Sequence, residues 1–151
     1  GQGELDTALW GGATTIAAGL KGLAGVVING AIRDLVEIRK EALQVFARSV
    51  VPNAGGAEYA GEINVPITCG GVVVQPGDWV VGDEDGVVVV PTHLLADVLE
   101  TAQQLLKVEK AIYREIRRGK DIATLLHYHE LVEQKSKKPL LPQMRFTGKK
   151  D

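Results

Sequence analysis

Apolar residues along the first third of the chain predict strands that alternate with helices, which indicates an α/β fold. Residues 24–28 form a β-branched run between glycines, typical of a buried strand, and residues 45–50 alternate like a second strand. Residues 14–20 and 34–39 have helix-compatible sequences next to these strands, and the first of them follows a glycine pair. Strand and helix therefore alternate, as they do in α/β proteins.

The middle of the chain predicts β structure without helices. Three short runs rich in valine occur at residues 71–74, 79–82 and 86–90. Turn-forming residues separate them at 75–78 and 83–86, which favours a hairpin or a tight meander. Before these runs, residues 52–61 show no period and are predicted to form a long loop.

The last third of the chain predicts helices. Thr92 is expected to cap a long amphipathic helix, in which apolar residues recur at spacings of three and four until Gly119 stops it. A second helix is predicted from Asp121 to about Gln134. We therefore divide the chain into a main domain, residues 1–118, and a C-terminal helix with a basic tail, residues 119–151.

Composition limits the class of protein. The 151 residues suffice for one core, and 45% hydrophobic with 24% charged residues matches ordinary globular proteins. The net charge of −2 does not support a whole-domain nucleic-acid surface, so no direct nucleic-acid binding is expected. No apolar run approaches the roughly 18 residues of a membrane span, so no membrane association is expected either. The single cysteine, Cys69, excludes an internal disulfide and favours a cytoplasmic location.

Charge is unevenly distributed between the two parts of the chain. Residues 1–90 are acidic, whereas residues 91–151 are basic, and five lysines of the tail are Lys135, Lys137, Lys138, Lys149 and Lys150. Such a tail could attract an acidic partner, and a solvated chain end explains the same residues equally well.

Two segments carry candidate chemistry. Gly11, Gly12, Ala13 and Thr14 open a predicted helix, where unpaired backbone N–H groups and the helix dipole can bind an anion. Arg33 and Asp34 follow a predicted buried strand, at the end where α/β proteins bind ligands. Arg33 offers a planar fork to a carboxylate, and Asp34 offers oxygen ligands to Mg²⁺ or Mn²⁺. The alternatives are a simple turn at the glycines and a surface ion pair at Arg33 and Asp34.

Other reactive residues do not form a recognisable site in the sequence. Residues 83–85 are acidic, but an Asp-Gly pair between two strands predicts a hairpin turn before a metal cluster. Residues 127–129 place two histidines at a spacing that does not put them on one helix face. Cys69 is interpreted as a small buried residue. Nucleophile-elbow, phosphate-loop and HExxH motifs are absent.

Several motifs together resemble the RraA-like family, which contains the regulator of ribonuclease activity A and metal-dependent 4-hydroxy-4-methyl-2-oxoglutarate aldolases. The resemblance covers about residues 4–118, and its motifs lie at residues 8–12, 25–34, 45–48, 69–72, 76–78 and 85–91. It implies a swivelling β/β/α fold with a mixed sheet and a C-terminal helical extension. It also implies homotrimers or hexamers with sites between subunits.

The resemblance assigns roles to the same two segments. In the family's aldolases, backbone amides at a helix start and the arginine of an Arg-Asp pair bind a 2-oxo acid, while the aspartate holds a divalent metal. These positions correspond here to Gly11, Gly12, Ala13 and Thr14, to Arg33, and to Asp34. The implied function is a lyase that releases pyruvate, by oxaloacetate decarboxylation or by aldol cleavage. The alternative within the family is a non-catalytic regulator that binds a ribonuclease or another protein.

The sequence also departs from the family pattern. The aldolases carry an acidic residue 21 positions before the arginine, where this chain has Gly12, and Asn29 stands where an aspartate is common. Residues 52–66 look most like members fused behind a hexulose-6-phosphate synthase domain. Because the resemblance begins inside the family pattern, we expect an N-terminally incomplete domain that associates with further chains or belongs to a longer polypeptide.

Overall fold

The computed structural model describes residues 3–56 and 60–127 and confirms the α/β fold class. The chain forms two compact units, divided between Thr92 and His93. The strands are β1 (Ala8–Trp10), β2 (Gly25–Ile32), β3 (Gln44–Val50), β4 (Ile67–Cys69), β5 (Val72–Val74), β6 (Trp79–Asp83) and β7 (Gly86–Val90). The helices are α1 (Gly12–Leu20), α2 (Leu35–Ile38), α3 (Leu95–Arg117) and α4 (Ile122–Leu125).

A parallel sheet in the order β1-β2-β3 organises the first unit. Helix α1 connects β1 to β2, and α2 connects β2 to β3, because parallel neighbours need a crossover connection. Trp10 pairs with Ile32 at the end of β2, and Ile32 pairs with Val50 at the end of β3. The three strands therefore end at one edge of the sheet, the edge at which open α/β sheets bind ligands.

Strand β2 is longer than the sequence predicts because it continues past Ile28 through an irregularity in its register with β3. Gly30 permits this extension: a Cβ there would lie 2.7 Å from Leu9 Cδ1 and 2.9 Å from the Glu4 carbonyl oxygen. The strand then ends at Ile32, so the predicted site residues follow it directly.

The valine-rich runs are strands, as predicted, and they belong to two hairpins. Strands β4 and β5 pair antiparallel, and so do β6 and β7, so parallel and antiparallel pairing occur in separate sheets. Strands β1 and β4 were not predicted, since three residues are too few to show alternation. The backbone N–H of Asp85 donates to Asp83 Oδ1 at 2.9 Å, which confirms the predicted turn.

Burial is concentrated where α1 and α2 lie on the sheet near its carboxyl edge. The buried residues of the described chain are the glycines Gly11, Gly12 and Gly30 together with Ala8, Thr15, Ala18, Ala31, Ile32, Ile38, Leu43 and Val90. Alanine and threonine predominate where α1 meets the strands, and small side chains let backbones approach closely. The N-terminus of α1 therefore lies close to the strand ends.

An apolar cavity of about 730 Å³ lies among β2, β3 and the two hairpins. Its side chains are mainly valine, with Asn29, Gln44 and Arg48 as polar members. Gly82 lies against the ring of Phe46, since a Cβ there would be 2.5 Å from the ring carbon Cζ. The cavity has no acidic residue in its lining, so the candidate chemistry lies elsewhere.

The second unit contains the predicted long helix. Its start differs from the prediction: α3 begins at Leu95 after a 3₁₀ turn, and no side chain caps it. The Thr92 hydroxyl instead donates a hydrogen bond to the Gly77 carbonyl within the first unit. Beyond the helix, Gly119 adopts φ +89°, which confirms it as the stop.

Helix α4 begins as predicted, because Asp121 Oδ2 accepts the Thr124 N–H at 2.9 Å. The remainder of the helix predicted toward Gln134, and the basic tail, lie outside the described residues. Within the described residues, no helix has both the length and the apolar character needed to cross a membrane.

Candidate functional site

The glycine pair before α1 forms a turn of backbone amides. Gly11 is the N-cap in extended backbone and has no side chain to cap the helix. The Thr14 hydroxyl accepts the Gly11 N–H at 3.0 Å and donates to the Gly11 carbonyl at 2.8 Å. Among the described residues, the exposed N–H groups of Ala13 and Thr14 have no hydrogen-bond partner. These two amides at the positive end of the helix can bind an anion.

Thr15 and Trp10 hold this turn from its buried side. Thr15 is completely buried, and its hydroxyl donates to the Gly11 carbonyl at 2.9 Å. The Thr15 hydroxyl oxygen also accepts the indole N–H of Trp10 at 2.7 Å. The sequence did not single out either residue for the site, although a tryptophan directly before a glycine pair and two adjacent threonines were visible signals.

Asp34 lies shortly after β2 and is hydrogen-bonded to α1 and to α2. It adopts the left-handed region with φ +60° and ψ +42°, which costs a residue other than glycine about 1–2 kcal/mol and which aspartate tolerates better than most. Its Oδ2 accepts the Gly12 N–H at 3.0 Å, and its carbonyl accepts the Ile38 N–H at 3.0 Å. A costly backbone conformation of this kind is found most often at functional sites.

Arg33 and Asp34 form a partly exposed ion pair at the start of α2, as the alternative interpretation of the sequence predicts, but no hydrogen bond joins their side chains. Arg33 Nε is 3.7 Å from Asp34 Oδ2, and the two side chains are 45% and 35% exposed. The backbone N–H of Arg33 donates to the Trp10 carbonyl at 2.9 Å, which fixes the base of the side chain. The guanidinium donates to no described residue, so its donors remain available to a ligand.

The two predicted segments come together in one cluster. A Cβ at Gly11 would lie 2.7 Å from Asp34 Oδ2 and 3.3 Å from Arg33 Nε. A Cβ at Gly12 would lie 3.0 Å from the Cβ of Glu37, an exposed residue of α2 that was not predicted for the site. A side chain at Gly11 would therefore displace the Asp34 carboxylate, whereas a side chain at Gly12 would require only a small movement of Glu37.

The donor set suits a divalent cation that is shared with water and a ligand. Asp34 Oδ1 has no hydrogen-bond partner among the described residues, and Gly12 orients the other oxygen. No group of three or more His, Cys, Asp or Glu side chains forms a metal cage within the described part of the chain. Mg²⁺ commonly takes one or two carboxylates and keeps several waters. Asp34 therefore fits the role of a single protein ligand to Mg²⁺ or Mn²⁺.

Two further reactive residues that the sequence singled out are described, Cys69 and His127. Cys69 is half-buried in the lining of the apolar cavity, because its short hairpin leaves it less covered than the sequence predicted. His127 is described, whereas residues 128 and 129 of the predicted pair motif lie outside the described residues.

Known proteins resemble this chain over more than half of its length. An uncharacterized protein of Methanocaldococcus jannaschii is 42% identical over 127 residues, which cover 84% of this chain and 61% of that protein. The 4-hydroxy-4-methyl-2-oxoglutarate aldolase of Thermus thermophilus is 42% identical over 91 residues, 60% of this chain and 56% of that protein. The chain thus spans about three fifths of the length of these relatives.

Solved structures agree with this relationship. The RNA-processing inhibitor RraA from Thermus thermophilus matches with a TM-score of 0.56 and 42% identity, over 60% of this chain and 56% of that chain. The family model described as RraA-like, Aldolase/RraA, matches residues 1–89, which include the amide turn, Arg33 and Asp34. This chain therefore belongs to the RraA-like family.

Proposed function

We propose that this chain provides the site of a divalent-metal-dependent lyase, which cleaves a carbon–carbon bond of a 2-oxo acid and releases pyruvate. The observation that carries the proposal is the cluster of the Ala13 and Thr14 amides, the Arg33 guanidinium and the Asp34 carboxylate. The names of several relatives support the reaction class, since they are called 4-hydroxy-4-methyl-2-oxoglutarate aldolase.

The cationic part of the cluster binds the carboxylate of the substrate. Arg33 can offer two parallel N–H groups, and charge-assisted bonds of this kind are stronger than neutral ones. The Ala13 and Thr14 amides add donors that need no side-chain ordering. Because Asp34 is negative, we expect the substrate carboxylate on the Arg33 side of the cluster.

Asp34 is the residue that would hold the metal, Mg²⁺ or Mn²⁺. When bound, the ion would polarise the 2-oxo group and stabilise the enolate that remains after the bond breaks. The Gly12 N–H and the left-handed backbone at Asp34 orient the carboxylate beforehand.

Among the candidate reactions, we favour decarboxylation of oxaloacetate. Its C4 carboxylate leaves as CO₂, the bond electrons remain on C3 in the enolate, and water then supplies a proton to C3. Retro-aldol cleavage passes through the same enolate, but it also needs a base for the hydroxyl proton. Gly12 stands where the family resemblance implies an acidic residue, so that carboxylate is missing here.

The deciding experiment measures pyruvate release from oxaloacetate, with and without Mg²⁺ or Mn²⁺, using lactate dehydrogenase to detect the product. Free metal ions also decarboxylate oxaloacetate, so each rate is compared with that of Asp34→Asn at the same metal concentration. A saturable, metal-dependent rate well above this control supports the lyase. A wild-type rate no higher than that of the metal ion without protein would refute it.

A second candidate function is a non-catalytic regulator that binds a ribonuclease or another protein. The similarity to the RNA-processing inhibitor RraA favours this alternative. It predicts stable capture of a ribonuclease partner in the absence of pyruvate release. We also infer a homotrimer or hexamer in the cytoplasm, from the family resemblance and the single cysteine, and sedimentation at micromolar concentration tests the assembly.

A further inference from the structure

Trp10 contacts both halves of the candidate site. Its carbonyl accepts the Arg33 N–H at 2.9 Å, so its backbone fixes the position of the arginine. Its indole donates to Thr15 Oγ1 at 2.7 Å, and Thr15 donates to the Gly11 carbonyl at 2.9 Å. A single residue is therefore bonded to Arg33 directly and to the amide turn through one hydroxyl.

Thr15 makes this connection rigid. It is the largest fully buried side chain of the described residues, and its hydroxyl both donates and accepts. A buried hydroxyl with both functions satisfied has little freedom to rotate, whereas loss of one partner would leave a buried polar atom unpaired. Gly11 cannot hold itself through a side chain, so the position of its peptide depends on such contacts.

We propose that Trp10 is a positioning residue, which sets the separation between the Arg33 guanidinium and the amides of Ala13 and Thr14 and thereby the affinity for the substrate carboxylate. This inference rests on the proposed function for its kinetic consequence. The indole is suited to the task because its N–H lies at the edge of a rigid ring with only two side-chain torsions.

The kinetic test uses two variants. Thr15→Val keeps the shape of the side chain but removes the hydroxyl, and with it the bonds to the Trp10 indole and to the Gly11 carbonyl. Trp10→Phe removes only the bond between the indole and Thr15. Loss of a neutral hydrogen bond corresponds to about a fivefold effect. We expect both variants to raise the KM for oxaloacetate by about that factor or more, with kcat changed less than twofold. Thr15→Ser keeps the hydroxyl, so its KM should equal that of the wild type.

One measurement separates this inference from the proposed function, and a second reports binding at the site. Hydrogen exchange of the Thr15 amide, which donates to the Gly11 carbonyl at 3.1 Å, needs no activity. Trp10→Phe should accelerate it about fivefold, while exchange in the β6–β7 hairpin stays unchanged. In addition, the chain has two tryptophans, so Trp79→Phe leaves Trp10 as the sole reporter. Its fluorescence should change saturably when oxalate and Mg²⁺ are added.

The outcomes are distinguishable. Faster exchange confined to the turn supports the positioning role, even if the wild type releases no pyruvate and the lyase proposal fails. Unchanged exchange in Trp10→Phe, or a fall in kcat at constant KM in an active enzyme, overturns it. If Thr15→Val does not fold, Trp10→Phe and Thr15→Ser decide the question by the same criteria.

Discussion

Oppositely charged side chains meet at the end of α3 and at the end of β2, and only those at the end of α3 are hydrogen-bonded to each other. At the end of α3, Glu115 is bound by Arg118 at 2.7 Å and by Lys120, and this pairing, chiefly with Lys120, lowers the pKa of its carboxyl. At the end of β2, Arg33 stays 3.7 Å from Asp34, and its guanidinium donates to no described residue. We call Glu115, Arg118 and Lys120 the closed group, because their charged atoms are bonded to one another. We call Arg33 and Asp34 the open pair, because the guanidinium keeps donors for a ligand.

In the open pair, a backbone N–H of α1 already bonds the Asp34 carboxylate. Asp34 adopts the left-handed region, and its Oδ2 accepts the Gly12 N–H at 3.0 Å while Arg33 Nε stays 3.7 Å from the same oxygen. An exposed pair contributes little to stability in either case. The difference teaches that the two pairs of opposite charge leave different numbers of donors unbonded, because the Gly12 N–H already occupies the Asp34 oxygen nearest to Arg33.

The largest expected effect comes from removing the charge of Asp34. Asp34→Asn tolerates the left-handed backbone and can still accept the Gly12 N–H, so we expect a normal circular dichroism spectrum. Metal-stimulated pyruvate release should fall at least about 100-fold. Asp34→Ala should lose the same activity and about 1 kcal/mol of stability in addition. Wild-type rates in the folded Asn variant would remove Asp34 from the metal site.

Arg33→Lys should have the next largest effect. An ammonium keeps the charge but cannot replace the bidentate fork, so the KM for oxaloacetate should rise about tenfold. The matched control is Arg118→Lys, which changes an arginine of the closed group and should leave KM unaltered. A KM equal to that of the wild type in Arg33→Lys would show that the open pair does not bind the substrate.

Gly12→Asp should change the preference between reactions more than the overall rate. The new carboxylate should raise aldol cleavage of 4-hydroxy-4-methyl-2-oxoglutarate relative to decarboxylation, by a few-fold. Its Cβ would lie 3.0 Å from Glu37 Cβ, so α2 must shift, at a cost of about 1–3 kcal/mol. Gly12→Asn has the same crowding without the charge. If both variants give the same ratio of products, the missing acid does not explain the preference.

The sequence was sufficient to predict the elements and positions that depend on local patterns. The β-branched run of β2 and the alternation of β3 predicted these two strands, and the position of Arg33 and Asp34 directly after β2 placed them at its carboxyl end. The Asp-Gly turn between β6 and β7 was also correct, because turn chemistry is local.

The features that the sequence did not predict depend on contacts between distant segments. Thr92 has the right chemistry for a cap, yet its hydroxyl binds the Gly77 carbonyl, 15 residues earlier. The Asp34 carboxylate reaches the Gly12 N–H across 22 residues, and the close approach of Glu37 to Gly12 has the same origin. The metal, the substrate, the fusion to a synthase domain and the number of subunits remain predictions from family resemblance.

The smallest effect concerns the closed group itself. The Lys120 bond is the main reason that the pKa of Glu115 is below its ordinary value of 4.5, and Arg118 contributes less. Lys120→Ala should therefore raise the pKa of Glu115 more than Arg118→Ala does, and carboxyl NMR measures both pKa values.

Because the folded-state pKa of Glu115 is lowered, the stabilisation by this group is complete above the ordinary glutamate pKa and is lost as the pH falls through the folded-state value. The stability difference between wild type and Lys120→Ala should accordingly shrink as the pH falls below 4.5, while pyruvate release at neutral pH stays the same in both. A loss of activity in Lys120→Ala would contradict the distinction between the closed group and the open one, because it would connect the end of α3 to the site.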